Sequence, residues 1–342
     1  MKENETILIN SIKNKKILFI TTKNLNYIRI AQEIDIIKDN AADTTIIGSY
    51  KMNYFSRLIY VFFKLLFLDA KNYDVVFIGH AAQLVVPFFK HKFKNNFTII
   101  DFFISLYDTG CFDRKYFKPD SIIGKILYRI DKATIHYGQL IISDTLAHRE
   151  YFSNEFSVDK DKIITIYIKA SINKALLNQL NKMDGATRGI SGFHVLYFGS
   201  ILPLQGVDTI LSAINLIKHE NIHFTIIGPI NKHISALAPA GDNITYINWL
   251  SEEELYKYIS TADLCLAGHF NNQIAKASRT IPGKAYIYQA LNKPMILGDN
   301  PANHELFSSL NPDIHFVPMG DSLKLAKLIH SIYLKHIHQT DT

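Results

Sequence analysis

Short apolar runs recur along the chain, separated by polar segments or by segments of helical periodicity. KILFIT (16–21), TTIIG (44–48), DVVFI (74–78), FTIID (97–101), LIIS (140–143) and IITIYI (163–168) form a first series. HVLYFG (194–199), HFTIIG (223–228), ITYI (244–247), DLCLAG (263–268), PMILG (294–298) and IHFVP (314–318) form a second. Near-continuous apolar runs alternating with helical patterns predict parallel sheets covered on both faces. The two series flank the polar stretch NKMDGATRGISG (181–192), which predicts an α/β protein of two Rossmann-like, doubly wound domains facing a cleft. The expected boundaries are a first domain at 1–175, a linker at 176–192 and a second domain at 193–320. A C-terminal helix within 321–342 is expected to pack back on the first domain.

Composition narrows the classes. At 342 residues the chain exceeds the usual single core, and its 48% hydrophobic and 20% charged content fits a folded globular protein. Cys111 and Cys265 offer no disulfide framework, and there is no CxxC or Cys/His cluster for a metal. The amino-terminal MKENETILINSIKNKK lacks the apolar core of a signal peptide, so a cytoplasmic location is expected. The net charge of +6 suits an anionic membrane surface or a phosphorylated substrate, and charge alone does not separate these. No nucleic-acid partner is expected. The longest apolar stretch, RLIYVFFKLLFL (57–68), is interrupted by Lys64 and falls short of the ~20 residues needed to cross a bilayer. It reads either as a core helix with one snorkelling lysine or as an interfacial helix. Lys51, Arg57, Lys64 and the basic run KHKFKNN (90–96) lend support to the second, which would hold the protein at the inner face of the plasma membrane.

In doubly wound sheets ligands bind beyond the carboxyl ends of the strands, so the loops after each apolar run are the places to look. After HVLYFG, Gly199 and Gly206 bracket a loop leading into a helix with an apolar face of Val207, Ile210, Leu211, Ile214 and Ile217. Its amides could hold a phosphate, or the loop is a plain strand-to-helix turn. After ITYI, Ser251 and Glu254 read as a capping box that starts a helix near 252. Trp249 just before it either packs in the core or lies where the Asn248–Leu250 backbone reads a base edge. In SRTIPGKAYIYQALNKPMILGDNPANHELF (278–307), Pro282 suits a first helical turn and leaves the Gly283 and Lys284 amides free to point outward. With Arg279 and Lys284 these make a diphosphate clamp, unless Lys284 merely rides a solvated helix face. Asp159-Lys160-Asp161 has the DxD spacing of metal-dependent sugar transferases. It precedes a strand, at the wrong edge of the sheet, and reads as a solvated turn.

Several blocks carry a resemblance in a consistent order. YFGSILPLQGVDTIL (197–211), FTIIGP (224–229), ITYINWLSEEELYKYISTADLCLAGHF (244–270) and RTIPGKAYIYQALNKPMILGDNPANHELF (279–307) resemble the nucleotide-sugar domain of family 4 glycosyltransferases, which have the GT-B architecture. YDVVFIGHAAQLVVPFF (73–89), FTIIDFFISLYDT (97–109) and LIISDTLAHREYF (140–152) resemble the first half of that family. The resemblance implies retaining, metal-independent transfer of a sugar from a nucleotide diphosphate donor to a glycan or lipid-diphosphate acceptor, in cell-surface polysaccharide synthesis, with no cofactor. The diphosphate would lie against Gly199, Ser200, Gln205, Arg279 and Lys284, and the base near Asn248, Trp249 and Leu250. Helix amides and cations would neutralise the departing diphosphate as the sugar gains oxocarbenium character. A front-face mechanism, in which the departing phosphate helps deprotonate the acceptor, would need no protein nucleophile.

The sequence departs from the family in two places. Ser200 and Gln205 stand where many members have an Arg and a Lys, and Arg279 and Ile287 stand where many have a pair of glutamates. Arg279 and Lys284 would then supply the missing loop cations. Tyr288 or backbone groups would substitute for a carboxylate on the ribose. In the first half, Asp101 at a strand end and Asp108 in SLYDT are the candidate catalytic carboxylates, each also open to reading as a cap or loop hydrogen bond. His80, Tyr27 and Arg29 are candidates for the acceptor, although the glycine-rich loop common after the first strand is missing. Two other functions fit the same plan: a nucleotide-sugar 2-epimerase, and a non-catalytic nucleotide-sugar-binding protein.

Overall fold

The structure is a computed structural model that describes residues 2–51, 53–170, 172, 174–180, 192–229 and 232–340; most of the polar stretch expected as a linker lies outside these. The chain divides into two compact units, Met1–Lys169 and Ala170–Thr342. Each is built on a six-stranded, wholly parallel sheet.

The first sheet comprises β1 (Lys16–Asn24), β2 (Asp43–Ser49), β3 (Val75–Ile78), β4 (Phe97–Asp101), β5 (Leu140–Ser143) and β6 (Ile163–Thr165), in the order β2-β1-β3-β4-β5-β6. Alternate side chains of β1 serve two separate cores, as the two-residue period of a strand requires. Leu18 and Ile20 pack with Val61 and Leu65 of the helix Tyr54–Phe67. Ile17 and Phe19 pack with Ile30 and Ile37 of the helix Ile28–Asn40, and with Leu8 and Ile12 of the helix Lys2–Ile12. That first helix was not expected from the sequence. Helices on both faces explain why these strands read as unbroken apolar runs. The run expected as a strand through 168 is shorter, because β6 ends at Thr165.

The second sheet comprises β7 (Phe193–Phe198), β8 (Ile222–Ile227), β9 (Ile244–Ile247), β10 (Leu264–Gly268), β11 (Met295–Asp299) and β12 (Ile314–Pro318), in the order β12-β11-β10-β7-β8-β9. The helix Val207–Ile217 buries Val207, Ile210, Leu211 and Ile214 against Leu325, Ala326, Ile329 and Tyr333 of the C-terminal helix Ser322–Thr340. The buried face of that C-terminal helix therefore belongs to the core of its own unit. A helix, Lys174–Leu180, occupies part of the stretch expected as linker. Strand order reverses between β1 and β3 in the first unit and between β7 and β10 in the second. Such switch points open a crevice beyond the carboxyl ends of the strands, where the flanking connections run to opposite faces.

Candidate functional site

At the switch point of the second unit the chain builds a small chamber around one amine. β7 ends at Phe198 and turns at Gly199; β10 ends at Gly268. Between them the helix Gly283–Ala290 delivers Lys284, whose side chain turns inward and is only 6% exposed. Its ammonium lies 4.4 Å from the centroid of the Tyr197 ring and donates to Gln205 Oε1 at 2.5 Å. Pro282 is the residue before the helix, with φ −60°, and the Ala285 amide closes onto its carbonyl at 2.9 Å. The alternative of a lysine riding a solvated face is removed: position two of this helix faces the sheet.

Two glycines make room for that amine. A methyl at Gly199 (φ +143°) would lie 3.2 Å from Lys284 Nζ, and one at Gly268 (φ +86°) would lie 3.0 Å from Nζ and 2.7 Å from Gln205 Oε1. Both backbone conformations are ones that side chains other than glycine rarely adopt. His269 follows in the left-handed region at φ +54°, its Nδ1 2.9 Å from the Thr280 carbonyl oxygen. Strain of this kind concentrates where a site demands it. Among the described residues no carboxylate pairs with Lys284, and burial lowers its pKa from 10.5 to about 7. Beneath it the Tyr197 hydroxyl is buried without a hydrogen-bond partner among the described residues. A desolvated cation that, among the described residues, has an amide oxygen and an aromatic face beside it could take up an anion.

The surrounding candidates fall into distinct environments. Gln205 and Gly199 touch the amine, and Ser200 is exposed beside them. Arg279 is half-buried at the end of the 3-10 turn Ala275–Ser278, in the connection that leads to Lys284. Tyr288 is corrected: it is fully buried, 5.5 Å from the Phe198 ring, and its hydroxyl donates to the Leu266 carbonyl at 3.4 Å, so it is a core residue and does not reach a ribose. Trp249 is 76% exposed, which removes the core-packing alternative. Asn248, Trp249 and Leu250 follow edge strand β9, two strands from β7 and so about 10 Å across the sheet from the chamber. Ser251 caps the next helix, accepting from the Glu254 amide at 3.3 Å.

In the first unit a buried polar network lies at the carboxyl ends of β1, β3, β4 and β5. Arg29 makes a two-point ion pair with Asp101, at 3.0 Å and 3.2 Å, and donates to the Ile166 carbonyl at 2.5 Å. Glu33 lies 3.5 Å from Arg29 Nε, and burial followed by the neighbouring Asp101 raises its pKa well above the ordinary range. Asp101 and Arg29, assigned by sequence to catalysis and to the acceptor, thus bind one another in the interior. Tyr27 stacks on His80 at 5.2 Å, and His80 meets the edge of Phe103 at 4.8 Å. Burial pushes the Tyr27 hydroxyl up to about 12, which keeps it a proton donor. Asp108 is buried at the start of a π-helical turn, its amide donating to Ser105 Oγ at 2.9 Å. Ser105 Oγ in turn donates to Asp131 at 2.7 Å, and burial pushes the Asp131 carboxyl up to about 7.

Sequence reasoning missed Asp131, Tyr197, His269 and the buried pair Asp144–His148, whose Oδ1 and Nδ1 are 2.5 Å apart. The signal for the last was an Asp and a His four apart across the start of the helix Leu146–Phe156. Asp159-Lys160-Asp161 is exposed and opens the 3-10 turn Lys160–Lys162 ahead of β6, with Asp159 as its cap accepting from the Asp161 amide at 3.0 Å.

No protein-family model and no curated protein sequence matches the chain. Solved structures do match its fold. HepE from Anabaena, in complex with UDP-glucose, superposes with a TM-score of 0.67 at 13% identity, covering 93% of this chain and 89% of HepE. Each half has the fold of the GT-B glycosyltransferases. Sucrose-phosphate synthase from Thermosynechococcus elongatus gives a TM-score of 0.64 at 13% identity, with 93% and 89% of the two chains covered. A putative UDP-N-acetylglucosamine 2-epimerase from Listeria monocytogenes gives 0.51 at 12% identity, with 94% and 88% covered. On this GT-B framework the chamber of Lys284 occupies the switch point of the second unit, and the Arg29–Asp101 network that of the first.

Proposed function

We propose that the protein is a retaining glycosyltransferase that takes its sugar from a nucleotide diphosphate donor. The observation that carries this reading is Lys284, a buried cation without a carboxylate partner among the described residues, at the switch point of a GT-B unit. A diphosphate seated over Gly199 and Gly268 would supply the missing negative charge, raise the pKa of the amine and hold it protonated. In the transition state the leaving phosphate gains charge, so a preformed ammonium in a dry setting stabilises it more than it stabilises the ground state. The protein supplies this cation itself, which supports metal-independent departure. Gln205 orients the amine and Tyr197 offers a polarisable face. The exposed Trp249, about 10 Å across the sheet, is placed to stack on the base, and the UDP-glucose complex of HepE makes uridine nucleotides the first to try.

Among the described residues the chamber has no carboxylate against Lys284, and Asp101 is held by Arg29, which supports a front-face reaction in which the departing phosphate takes the acceptor proton. The acceptor would meet the first unit near Tyr27 and His80. Calorimetry with UDP and GDP, followed by product analysis with a panel of nucleotide sugars, tests the reading. Nucleotide binding by the intact protein, abolished in Lys284→Ala, together with transfer or donor hydrolysis, is the expected result. A 2-epimerised product would replace transfer with epimerisation, and binding without turnover would leave a nucleotide-sugar receptor. Unchanged affinity in the variant would refute the role of Lys284.

A further inference from the structure

The helix Tyr54–Phe67 is apolar on nearly all sides, yet only one side is buried. Arg57, Val61 and Leu65 face the first unit's core, and Phe62 packs on Phe88 and Phe89 at 5.3 Å and 5.2 Å. On the opposite side Phe55 is 71% exposed, Ile59 68%, Phe63 59% and Phe67 77%. Their spacing of four residues makes them one continuous stripe, which Leu66 joins. Isolated exposed apolar side chains are ordinary, but a contiguous aromatic stripe marks an interaction surface.

What covers it is indicated by charge. Residues 50–68 and 85–96 contain six lysines and arginines and no carboxylate. The two segments are locked together, since Lys92 Nζ donates to the carbonyls of Leu65, Leu66 and Leu68 at 2.8, 2.6 and 3.2 Å, and Phe88 extends the apolar stripe beside exposed Lys90 and Lys94. A second copy of the chain would bring this cationic border against itself across a two-fold axis, which like charges oppose. An anionic lipid surface satisfies both halves of the pattern, with apolar side chains at the acyl boundary and ammonium groups among headgroup phosphates. Among the described residues no helix is long and apolar enough to cross a membrane, so this one would lie in the plane.

We infer that the outer face of the helix Tyr54–Phe67, bordered by Lys64, Lys90 and Lys94, docks the protein on an anionic bilayer. The helix starts against the carboxyl end of β1, where Arg57 Nε donates to the Thr22 carbonyl at 2.9 Å. The docking surface therefore adjoins the strand ends that carry Tyr27 and His80. Resting on the transferase reading above, this assigns the acceptor to the class carried in the membrane by a lipid.

Vesicle flotation of the full chain tests the docking independently of catalysis. Phosphatidylcholine vesicles with and without phosphatidylglycerol serve as probes, with a Phe55→Ser/Phe63→Ser/Phe67→Ser variant and a Lys90→Glu/Lys94→Glu variant. The wild type is expected to float with the anionic vesicles only. Each variant should lose about tenfold or more of that binding. For the serine variant, each apolar side chain withdrawn from water is worth a factor of roughly this order. For the glutamate variant, each lysine near anionic headgroups is worth a factor of about five, and each glutamate is repelled. All five positions are exposed, and unchanged thermal unfolding and nucleotide affinity would show the variants to be folded. Equal binding to neutral vesicles, equal binding by the variants, or a dimer that the serine variant dissolves would each overturn the inference. Loss of nucleotide binding with flotation intact would count against the transferase reading alone.

Discussion

Replacing Lys284 by Met separates the cost of the buried amine from its use. Burial lowers the lysine pKa from 10.5 to about 7. At about 1.4 kcal/mol per pKa unit, the charge therefore costs the folded protein on the order of 4 kcal/mol at neutral pH. Methionine fills a similar volume without charge, but it leaves Gln205 Oε1 without its donor, which returns about 1–3 kcal/mol. A net gain of about 1–3 kcal/mol is expected, equivalent to roughly 2–10 °C in the unfolding transition of a unit this size. Its sign follows from proton counting. The unfolded lysine holds its proton up to about pH 10.5 and the folded one only to about pH 7. The wild type therefore gains stability as pH rises through this window, and the advantage of the variant shrinks in step. Differential scanning calorimetry at pH 7 and at a pH near 10, with and without UDP, reads both effects. The variant should melt higher without ligand and gain nothing from UDP, while the wild type gains. A variant that melts lower at pH 7, or that UDP stabilises as it does the wild type, would refute the account.

Other expectations follow from the same geometry. In ligand-free protein at mildly alkaline pH Lys284 is largely neutral, so diphosphate binding should take up close to one proton per site; calorimetry in buffers of different ionisation enthalpy measures it, and no buffer dependence counts against the assignment. Gly268→Ala, at φ +86° with 2.7 Å to Gln205 Oε1, should destabilise the second unit by about 1–3 kcal/mol and weaken nucleotide binding, read by denaturant melts and titration. Arg29→Met strands Asp101 in the interior and should cost about 3–5 kcal/mol, whereas Arg29→Met with Asp101→Leu should cost clearly less; equal losses would mean that the pair does not act as a unit.

Much of the architecture is written in local pattern. Runs such as VVFI and LCLAG are apolar on both faces because helices cover both sides of their sheets, so parallel strands announce themselves. Ser251 with Glu254 marks a helix start through a contact only three residues long. Lys284 stood out in the sequence as a candidate cation, but its inward direction was not legible, since position two of a short helix can face either way until the sheet beneath is known. The partners of Asp101 and Tyr197 were hidden for a different reason. Arg29 and Asp101 are 72 residues apart, and Tyr197 meets Lys284 only through the winding order β10-β7. Tyr288 was offered for the ribose because it neighbours Ile287, where the family has a glutamate, whereas its ring fills the core and its hydroxyl ends on a carbonyl. The helix Lys2–Ile12 escaped notice because, among its described side chains, only Leu8 and Ile12 are buried in a mixed sequence.

The three carbonyls gathered by Lys92 give one side chain control over the end of a helix. Acylation of that amine, or Lys92→Gln, would release acceptors of the terminal turn to solvent and loosen the segment bearing Leu66 and Phe67. Amide exchange at residues 64–67 should then quicken while the β strands stay protected, and unaltered exchange would show the turn to be self-sufficient. A covalent mark at this single position would thus act as a rheostat on the proposed bilayer docking, leaving the Lys284 chamber of the other unit untouched.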